Sequence, residues 1–473
     1  MSDNIVLIRP PSIMGSLRKV SLNQHPINLL YLAGTLITKG AFKVRIIDYE
    51  AKHYSVNELL TILRELNPLV IGITSMTPTI VNAYKIASII KDKFPESKII
   101  IGGNHASALP VETLEEFLNF DIAVYGEGEL TILEVCNKLR YHQQLNGVLG
   151  IAYRNGEDII LESPRPLINN LDDIPSPARQ LINMDDYAST TRLGRPGGCK
   201  RTTELFTSRG CPYSCIFCAV RKIFDKKVRY RSLNNIYQEV RECVEKFHIG
   251  HFTIQDDNIC LNSRQVYGIC DIFSQFQVSW DCDARVDAVD KKMLREMARA
   301  GCKQMSFGVE SGSARILKLI KKSITLDQIE DAFNWAKQAG IKRYAYFMIG
   351  VHPDETIKDI QMTKKVIKKI NPDYLGLALM IPYPGTEIYD FMIKEGLLIH
   401  RRWDYYGSYT GFPPYRNNHF EPKQLNEIQR KVLRNFYLRP SYILRRIMDI
   451  SNLEELRYMV TSGITALKYL YRD

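Results

Sequence analysis

The sequence predicts an α/β protein: a doubly wound parallel sheet, then six strand–helix units curled into a partial barrel, then a helical tail. Three observations carry this. Apolar runs of strand length alternate with segments of helical period through most of the chain. Those runs end in small or polar residues, as strands do when they feed loops over a ligand. The rhythm also breaks once, over about residues 146–200, separating two sets of strands. With 473 residues, two to four domains of ~100–200 residues each are expected.

Residues 1–145 read as the first sheet, of Rossmann-like type. "NIVLIRPPS" is a strand stopped by proline, and "NLLYLAGTLITKG" has helical period and ends on Gly40. "FKVRIIDYE", "PLVIGITSMTPT", "SKIIIGGNHAS" and "DIAVYGEGE" supply four more strands, whose ends are rich in Gly, Ser, Thr and Asn. Residues 146–200 read as a hairpin around Asn155-Gly156 followed by irregular linker in "PSPARQLI" and "RLGRPGGCK". Residues 201–400 resume the rhythm. The strands are "TELFTSRG", "HFTIQDD", "VSWDCDARVD", "CKQMSFGVES", "KRYAYFMIG" and "YLGLALMIP", the first five each followed by a helical segment. Six units predict a (β/α)₆ partial TIM barrel with its site at the carboxyl ends of the strands. Residues 401–473 are aromatic and basic, then helical.

Hydrophobic residues make up 45% and charged residues 24%, ordinary for a soluble globular chain. The net charge of +11 favours an anionic partner, or marks only a basic solvated surface. Asn4–Arg9 reads as a strand rather than the core of a signal peptide. The uncharged run 66–84 is broken by Pro68, Ser75 and Pro78, so no membrane span is expected. The ten cysteines lack the spacing of a secreted disulfide framework. A reducing cytoplasm is expected, where clustered thiols bind metal.

"SRGCPYSCIFCAV" places Cys211, Cys215 and Cys218 in a C-x₃-C-x₂-C pattern directly after the first barrel strand. Structural zinc needs four ligands, usually two distant pairs, and no second C-x₂-C exists. A [4Fe–4S] cluster can take three thiolates and keep one iron open. An idle or zinc-binding cysteine cluster is the bland alternative. On these residues the chain resembles the radical S-adenosylmethionine (SAM) enzymes. The resemblance implies that the open iron chelates SAM, whose reductive cleavage gives a 5′-deoxyadenosyl radical. It places Phe217 near the adenine, and Asp256 and Asp257 of "FTIQDDN" at the SAM amino group, where the commoner Gly-Gly-Glu is absent. It gives Arg285 of "DARVD" to the SAM carboxylate, and Glu310 and Ser311 of "FGVESGS" to the ribose and methionine. "YFMIGVHPDET" resembles the Gly-x-Pro-x-Glu-Thr loop, with His352 as added bulk, and "IPYPGTEIYD" the sixth-strand loop. Singly, an Asp or Arg at a strand end is as readily a helix cap or surface ion pair; their order carries the weight.

The first sheet resembles the cobalamin-binding domain of B12-dependent radical SAM enzymes in "PINLLYLAGTLITKG", "IGITSMTPT", "IGGNHASALP" and "VYGEGE". The resemblance implies a deep slot for the cobalamin tail. Ser75 and Thr77 would bond it, Gly102, Gly103 and Gly126 would let backbone approach it, and Glu127 would bond it or cap a helix. The Asp-x-His-x-x-Gly loop is absent, "PPSIMGS" carries no His, and His25 and His105 lack that context. Cobalt without a protein histidine is expected; loss of cobalamin is the alternative. "YGEGEL" fails G-x-G-x-x-G and no P-loop occurs, which disfavours a nucleotide-binding fold. Methylthiotransferases carry three further cysteines in this domain, whereas the first here is Cys136. Cys136, Cys199, Cys243, Cys260, Cys270, Cys282 and Cys302 read mostly as core thiols, with Cys260 and Cys282 near strand ends.

In the tail, "IQRKVLRNFYLRPSYILRRIMDI" mixes six Lys and Arg with Phe436, Tyr437 and Tyr442. It reads as packing on the barrel, with peripheral contact to an anionic membrane as the alternative. No RNA module appears, and no nucleic acid is expected. The resemblance implies methyl transfer to an unactivated carbon: cobalamin takes methyl from one SAM, a second SAM supplies the radical, and the substrate radical collects the methyl. Both cofactors must then face one cavity between the domains. The substrate is expected to be a small molecule, a lipid or tetrapyrrole among the options, and the electron to come from flavodoxin or ferredoxin. Radical cyclisation, oxidation or rearrangement, as in porphyrin-ring cyclases, is the runner-up. A non-catalytic B12 or iron–sulfur sensor is the reading from another class, against which Asp257, Arg285 and Glu310 argue.

Overall fold

The computed structural model describes residues 3–12, 24–187, 201–407, 412–448, 450 and 453–471. Cys199, the "RLGRPGGCK" linker and most of "PPSIMGS" lie outside them.

The first sheet holds seven strands: β1 (Asn4–Arg9), β2 (Lys43–Asp48), β3 (Val70–Thr74), β4 (Lys98–Gly102), β5 (Ile122–Val124), β6 (Ile151–Asn155) and β7 (Asp158–Leu161), in the order β2-β1-β3-β4-β5-β6-β7. The first five are parallel. Side chains alternate between two buried faces. Ile5 and Leu7 of β1 pack with Leu29, Leu36 and Val135 of helices Ile27–Gly40 and Gly128–Arg140. Val6 and Ile8 pack with Leu59, Leu63 and Ile86 of helices Val56–Leu66 and Ile80–Lys93. Burial on both faces is why these strands read as continuous apolar runs. The order reverses between β1 and β3, the crevice where such sheets bind ligands. The hairpin turns at Gly156 and Glu157, and β6 joins the sheet antiparallel to β5.

The second sheet, in the order β15-β14-β13-β12-β11-β8, is parallel throughout and curls into a half-barrel. Its strands are β8 (Arg201–Leu205), β11 (Ile249–Ile254), β12 (Ser279–Ala284), β13 (Cys302–Glu310), β14 (Lys342–Ile349) and β15 (Tyr374–Leu379). A short antiparallel ribbon, β9 (Ser208–Arg209) with β10 (Arg229–Tyr230), stands beyond β8. Phe252, Trp280, Phe307 and Phe347 belong to the core beneath the outer helices. Polar residues such as Thr253, Gln304 and Ser306 stand at the opposite parity, and His251 pairs with Asp281 at 2.7 Å.

Two connections join the halves. Arg179 of the linker and Arg231 of the barrel flank the Glu239 carboxylate at 2.7 and 2.6 Å, and Arg231 reaches the Tyr31 hydroxyl of the first domain at 3.4 Å. Further on, the Trp403 indole N–H donates to Glu116 at 2.8 Å and its ring meets His105 edge-on, so the chain returns to the first domain after leaving the barrel.

Helix Pro422–Tyr437 then covers the open edge of β15. The Leu375 N–H donates to the Tyr437 hydroxyl at 3.0 Å, that hydroxyl donates to Leu375 O at 2.7 Å, and Gln429 Nε2 donates to Leu377 O at 2.7 Å. Side chains thus meet an edge that another strand would otherwise pair. Of the tail's basic residues, Arg439, Arg445 and Arg446 bond to Asn371, Pro372 O and Tyr374. Among the described residues no helix is long and apolar enough to cross a membrane.

Candidate functional site

The carboxyl ends of both sheets border one cavity of about 400 Å³. One wall is the first domain: Gly72 and Thr74 of β3, Gly102 at the end of β4 and Gly103 after it, Gly126 after β5, and Asn28 and Leu32 of the first helix. The opposite wall is the barrel: Phe206, Ser208, Arg209, Ala219, Phe224 and Asp257. Glycine opens the first wall. Gly103 has φ +97°, and a Cβ there would lie 2.4 Å from Ser75 O, so this position admits only glycine. Gly102 is different, because a Cβ there meets nothing closer than Val124 at 3.8 Å, while Gly126 has open space about its Cβ position but a φ of +76° that still favours glycine.

Ser75 and Thr77 do not line the cavity. Ser75 is buried with its N–H on Gly102 O at 2.8 Å, and Thr77 Oγ1 faces His105 Nδ1 at 3.2 Å. Thr74, Asn28 and Ser107 line it instead. Asn28 Nδ2 donates to Thr74 Oγ1 at 3.1 Å, and the Gly126 N–H to Ser107 Oγ at 3.2 Å. Glu127 precedes helix Gly128–Arg140 without capping it by its side chain. Its carboxylate is taken by Arg209 and Arg229, each at 2.8 Å. His25 is buried against Thr203 and Tyr187, and burial pushes the His105 imidazole down to about 4.

The cysteine loop leaves β9 through Gly210, whose φ of +96° and close approach to Lys227 O at 2.2 Å for a would-be Cβ fix the turn. It ends at the short helix Val220–Phe224, which packs on Asn104–Ala108 of the first domain. Cys211, Cys215 and Cys218 are free thiols. Burial pushes Cys211 up and Cys218 up to about 11, with the charges of neighbouring thiols and Asp257 adding to it. The thiols sense one another, yet among the described residues no three His, Cys, Asp or Glu side chains gather around one ion position. A cluster that gives each thiolate its own iron suits such spacing. The residues present fit a [4Fe–4S] cluster here and the cobalamin tail in the glycine-walled slot.

The remaining candidates divide. Asp257 opens on the cavity and accepts from the Gly210 N–H at 3.0 Å, and its enclosure by protein pushes the carboxyl up to about 6. Asp256 points away, accepting from Thr207 N, Thr207 Oγ1 and Ser208 Oγ at 2.6, 2.5 and 2.6 Å. Arg285 approaches Cys215 Sγ at 3.7 Å, lies 3.6 Å from the Tyr213 ring centre, and forms a two-point pair with Asp287. Glu310 has φ +68° and pairs with Lys322 at 2.9 Å. Ser311 is buried beside Thr363, and Phe217 packs half-buried on the barrel core. Cys260 and Cys282 are buried core thiols.

Residues 205–367 match the model of the Radical SAM superfamily, and residues 15–136 that of the B12 binding domain. The chain is 33% identical over 447 residues to an uncharacterized methyltransferase of Pyrococcus horikoshii, covering 94% of this chain and 95% of that one. It is 27% identical to cytidylyl-2-hydroxyethylphosphonate methyltransferase of Streptomyces wedmorensis, covering 79% of each. It is also 27% identical to anaerobic magnesium-protoporphyrin IX monomethyl ester cyclase of Rubrivivax gelatinosus, covering 81% and 69%. Among solved structures, the cobalamin-dependent SAM radical enzyme OxsB, with aqua-cobalamin and SAM bound, shares the fold at TM-score 0.76 and 17% identity, over 99% of this chain and 72% of that one. The radical SAM methyltransferase TsrM of Kitasatospora setae, with cobalamin and a [4Fe–4S] cluster, shares it at TM-score 0.68 and 17% identity, over 84% and 75%.

Proposed function

Since this chain belongs to the B12-dependent radical SAM enzymes, we propose that it methylates an unactivated carbon of a small molecule. When bound, the cluster with SAM supplies a hydrogen-abstracting radical, and cobalamin supplies the methyl group. Cys211, Cys215 and Cys218 hold the cluster. Asp257 receives the SAM amino group, for which a carboxylate facing the cavity beside the cysteine loop is suited. Arg285, which holds positive charge 3.7 Å from Cys215 Sγ, would pair with the SAM carboxylate. Asp256 serves the loop itself by bonding Thr207 and Ser208. Gly102 and Gly126 leave room for the cobalamin tail, and Thr74, Asn28 and Ser107 offer it polar contacts.

The observation that carries this reading is the single cavity bordered by both sheets. A substrate radical must meet its methyl donor before it meets anything else, and a shared cavity excludes the rest of solution. The near-full-length methyltransferase relative points the same way. Cyclisation is the second reading, favoured by the cyclase relative. The test is anaerobic: reconstitute cluster and cobalamin, supply SAM, a flavodoxin-type reductant and candidate substrates, and quantify products. 5′-Deoxyadenosine together with S-adenosylhomocysteine, both substrate-dependent, is expected. 5′-Deoxyadenosine alone overturns methylation in favour of cyclisation, oxidation or rearrangement.

We also infer that the enzyme works in the cytoplasm and touches an anionic membrane through its last two helices. Leu444, Ile447 and Met448 are exposed, and Val460, Ile464 and Leu467 form an exposed stripe on helix Leu453–Leu470. Residues 422–471 carry nine Lys and Arg against four Asp and Glu. That excess suits an anionic lipid surface and opposes a second copy of the same chain. Flotation with phosphatidylglycerol vesicles but not phosphatidylcholine vesicles is expected, and I464S should weaken it; equal or absent flotation overturns the inference.

A further inference from the structure

We propose that Arg209 is a positioning residue that fixes the cysteine loop at a set distance from the cobalamin slot. The inference rests on the function proposed above and adds a role that the cysteine and glycine motifs do not contain.

Arg209 stands on β9, two residues before Cys211. Its two terminal nitrogens reach across the cavity wall to different carboxylates of the first domain. Nη1 bonds Glu127 Oε1 at 2.8 Å, and Nη2 bonds Glu129 Oε1 at 2.5 Å. The other Glu127 oxygen accepts from Arg229 Nη1 at 2.8 Å and from the Ile168 N–H at 2.8 Å. Arg229 is the ribbon partner of Arg209 in β10. Both strands of the ribbon therefore press one arginine against the start of helix Gly128–Arg140.

The arrangement is built to hold position. Two carboxylates balance two guanidiniums, and all four side chains are at most 13% exposed. Burial at this level makes each charge costly without its partner. A guanidinium bonding through two nitrogens also fixes direction, which a lysine ammonium does not. The fixed point is carried into the loop at once: Gly210 is pinned by its N–H on Asp257 and by its fit against Lys227 O. On the other side, Glu129 and Arg209 both line the cavity that Gly102 and Gly126 open. The Arg179–Glu239–Arg231 group ties the linker to the barrel and meets the first domain at the Tyr31 hydroxyl, 3.4 Å from Arg231, and none of its three members lines the cavity.

The test uses the full chain loaded with cluster and cobalamin, without substrate. Pulsed electron paramagnetic resonance measures the distance distribution between the reduced cluster and cob(II)alamin. Wild type should give one narrow distribution. R209K, keeping the charge but not the two-point geometry, should retain iron and corrinoid and broaden it. R209A should broaden it further. An R209A distribution matching wild type, with both cofactors at full occupancy, overturns the proposal. Loss of iron or corrinoid from R209K also overturns it, since Arg209 would then serve binding or folding. A wild-type chain that takes up no cobalamin overturns instead the function on which the proposal rests.

Discussion

Gly102→Ala separates what the fold needs at the sheet's end from what a ligand needs. Gly102 closes β4, and its φ is not in the left-handed region. A Cβ built there meets Val124 O at 3.8 Å and Val124 Cβ at 3.9 Å, both ordinary contacts. Without ligand, the alanine chain should be as stable as wild type or gain about 0.4–1 kcal/mol by losing unfolded-state freedom. The same methyl enters the cavity. Overpacking by one methylene-sized group costs about 1–3 kcal/mol, and about 1.4 kcal/mol is tenfold in affinity. Cobalamin should therefore bind roughly five- to a hundred-fold more weakly. The assays are urea unfolding of the apoprotein and equilibrium titration with hydroxocobalamin followed by visible absorbance. Gly103→Ala is the contrast: its Cβ would lie 2.4 Å from Ser75 O at φ +97°, so the apoprotein itself should lose stability. Unchanged cobalamin affinity in Gly102→Ala, with the fold intact, would refute a slot at the end of β4.

Cys215→Ala should bind substoichiometric iron and show no SAM cleavage while its far-ultraviolet circular dichroism matches wild type; retained cleavage sinks the cluster assignment. Tyr437→Phe removes the hydroxyl that takes the Leu375 N–H and should cost about 1–3 kcal/mol in urea unfolding; no change would mean that water replaces it. The Glu355 carboxyl is pushed up to about 8 by burial, against about 4.3 in an unfolded chain. The folded state therefore keeps its proton where the unfolded state has lost it, and stability falls as pH rises from about 4.3 to about 8. Glu355→Gln should be more stable than wild type at pH 8, with the advantage shrinking toward pH 5; parallel profiles would show that Glu355 does not titrate in this way.

The strands of the first sheet were legible because both its faces are buried, which writes apolar runs such as "VIGIT" and "KIIIG" into the chain. The cysteine triad was legible because its spacing is local. What escaped was side-chain direction at strand ends. "DD" at 256–257 offers two carboxylates, but successive residues face opposite ways, and only Asp257 meets the cavity. The same one-residue parity separates Thr74, which lines the slot, from Ser75, which is buried behind it. Arg209 escaped for a different reason: its partners lie about eighty residues earlier, and no local pattern encodes a pairing at that separation. Glu127, read as a cap or ligand contact, does not cap the helix with its side chain; it lines the cavity while pairing with Arg209 and Arg229.

A half-barrel has two lips, and one of them is sealed here by Tyr437 and Gln429 laid along β15. The superfamily match ends at residue 367, before β15 and before the helix that covers it. A chain ending after the sixth strand would expose a ready row of backbone donors and acceptors to neighbouring molecules, inviting sheet extension from one copy to the next. The tail is thus what covers the last backbone edge of the radical-generating half, bonding Leu375 and Leu377 where a further strand would otherwise pair.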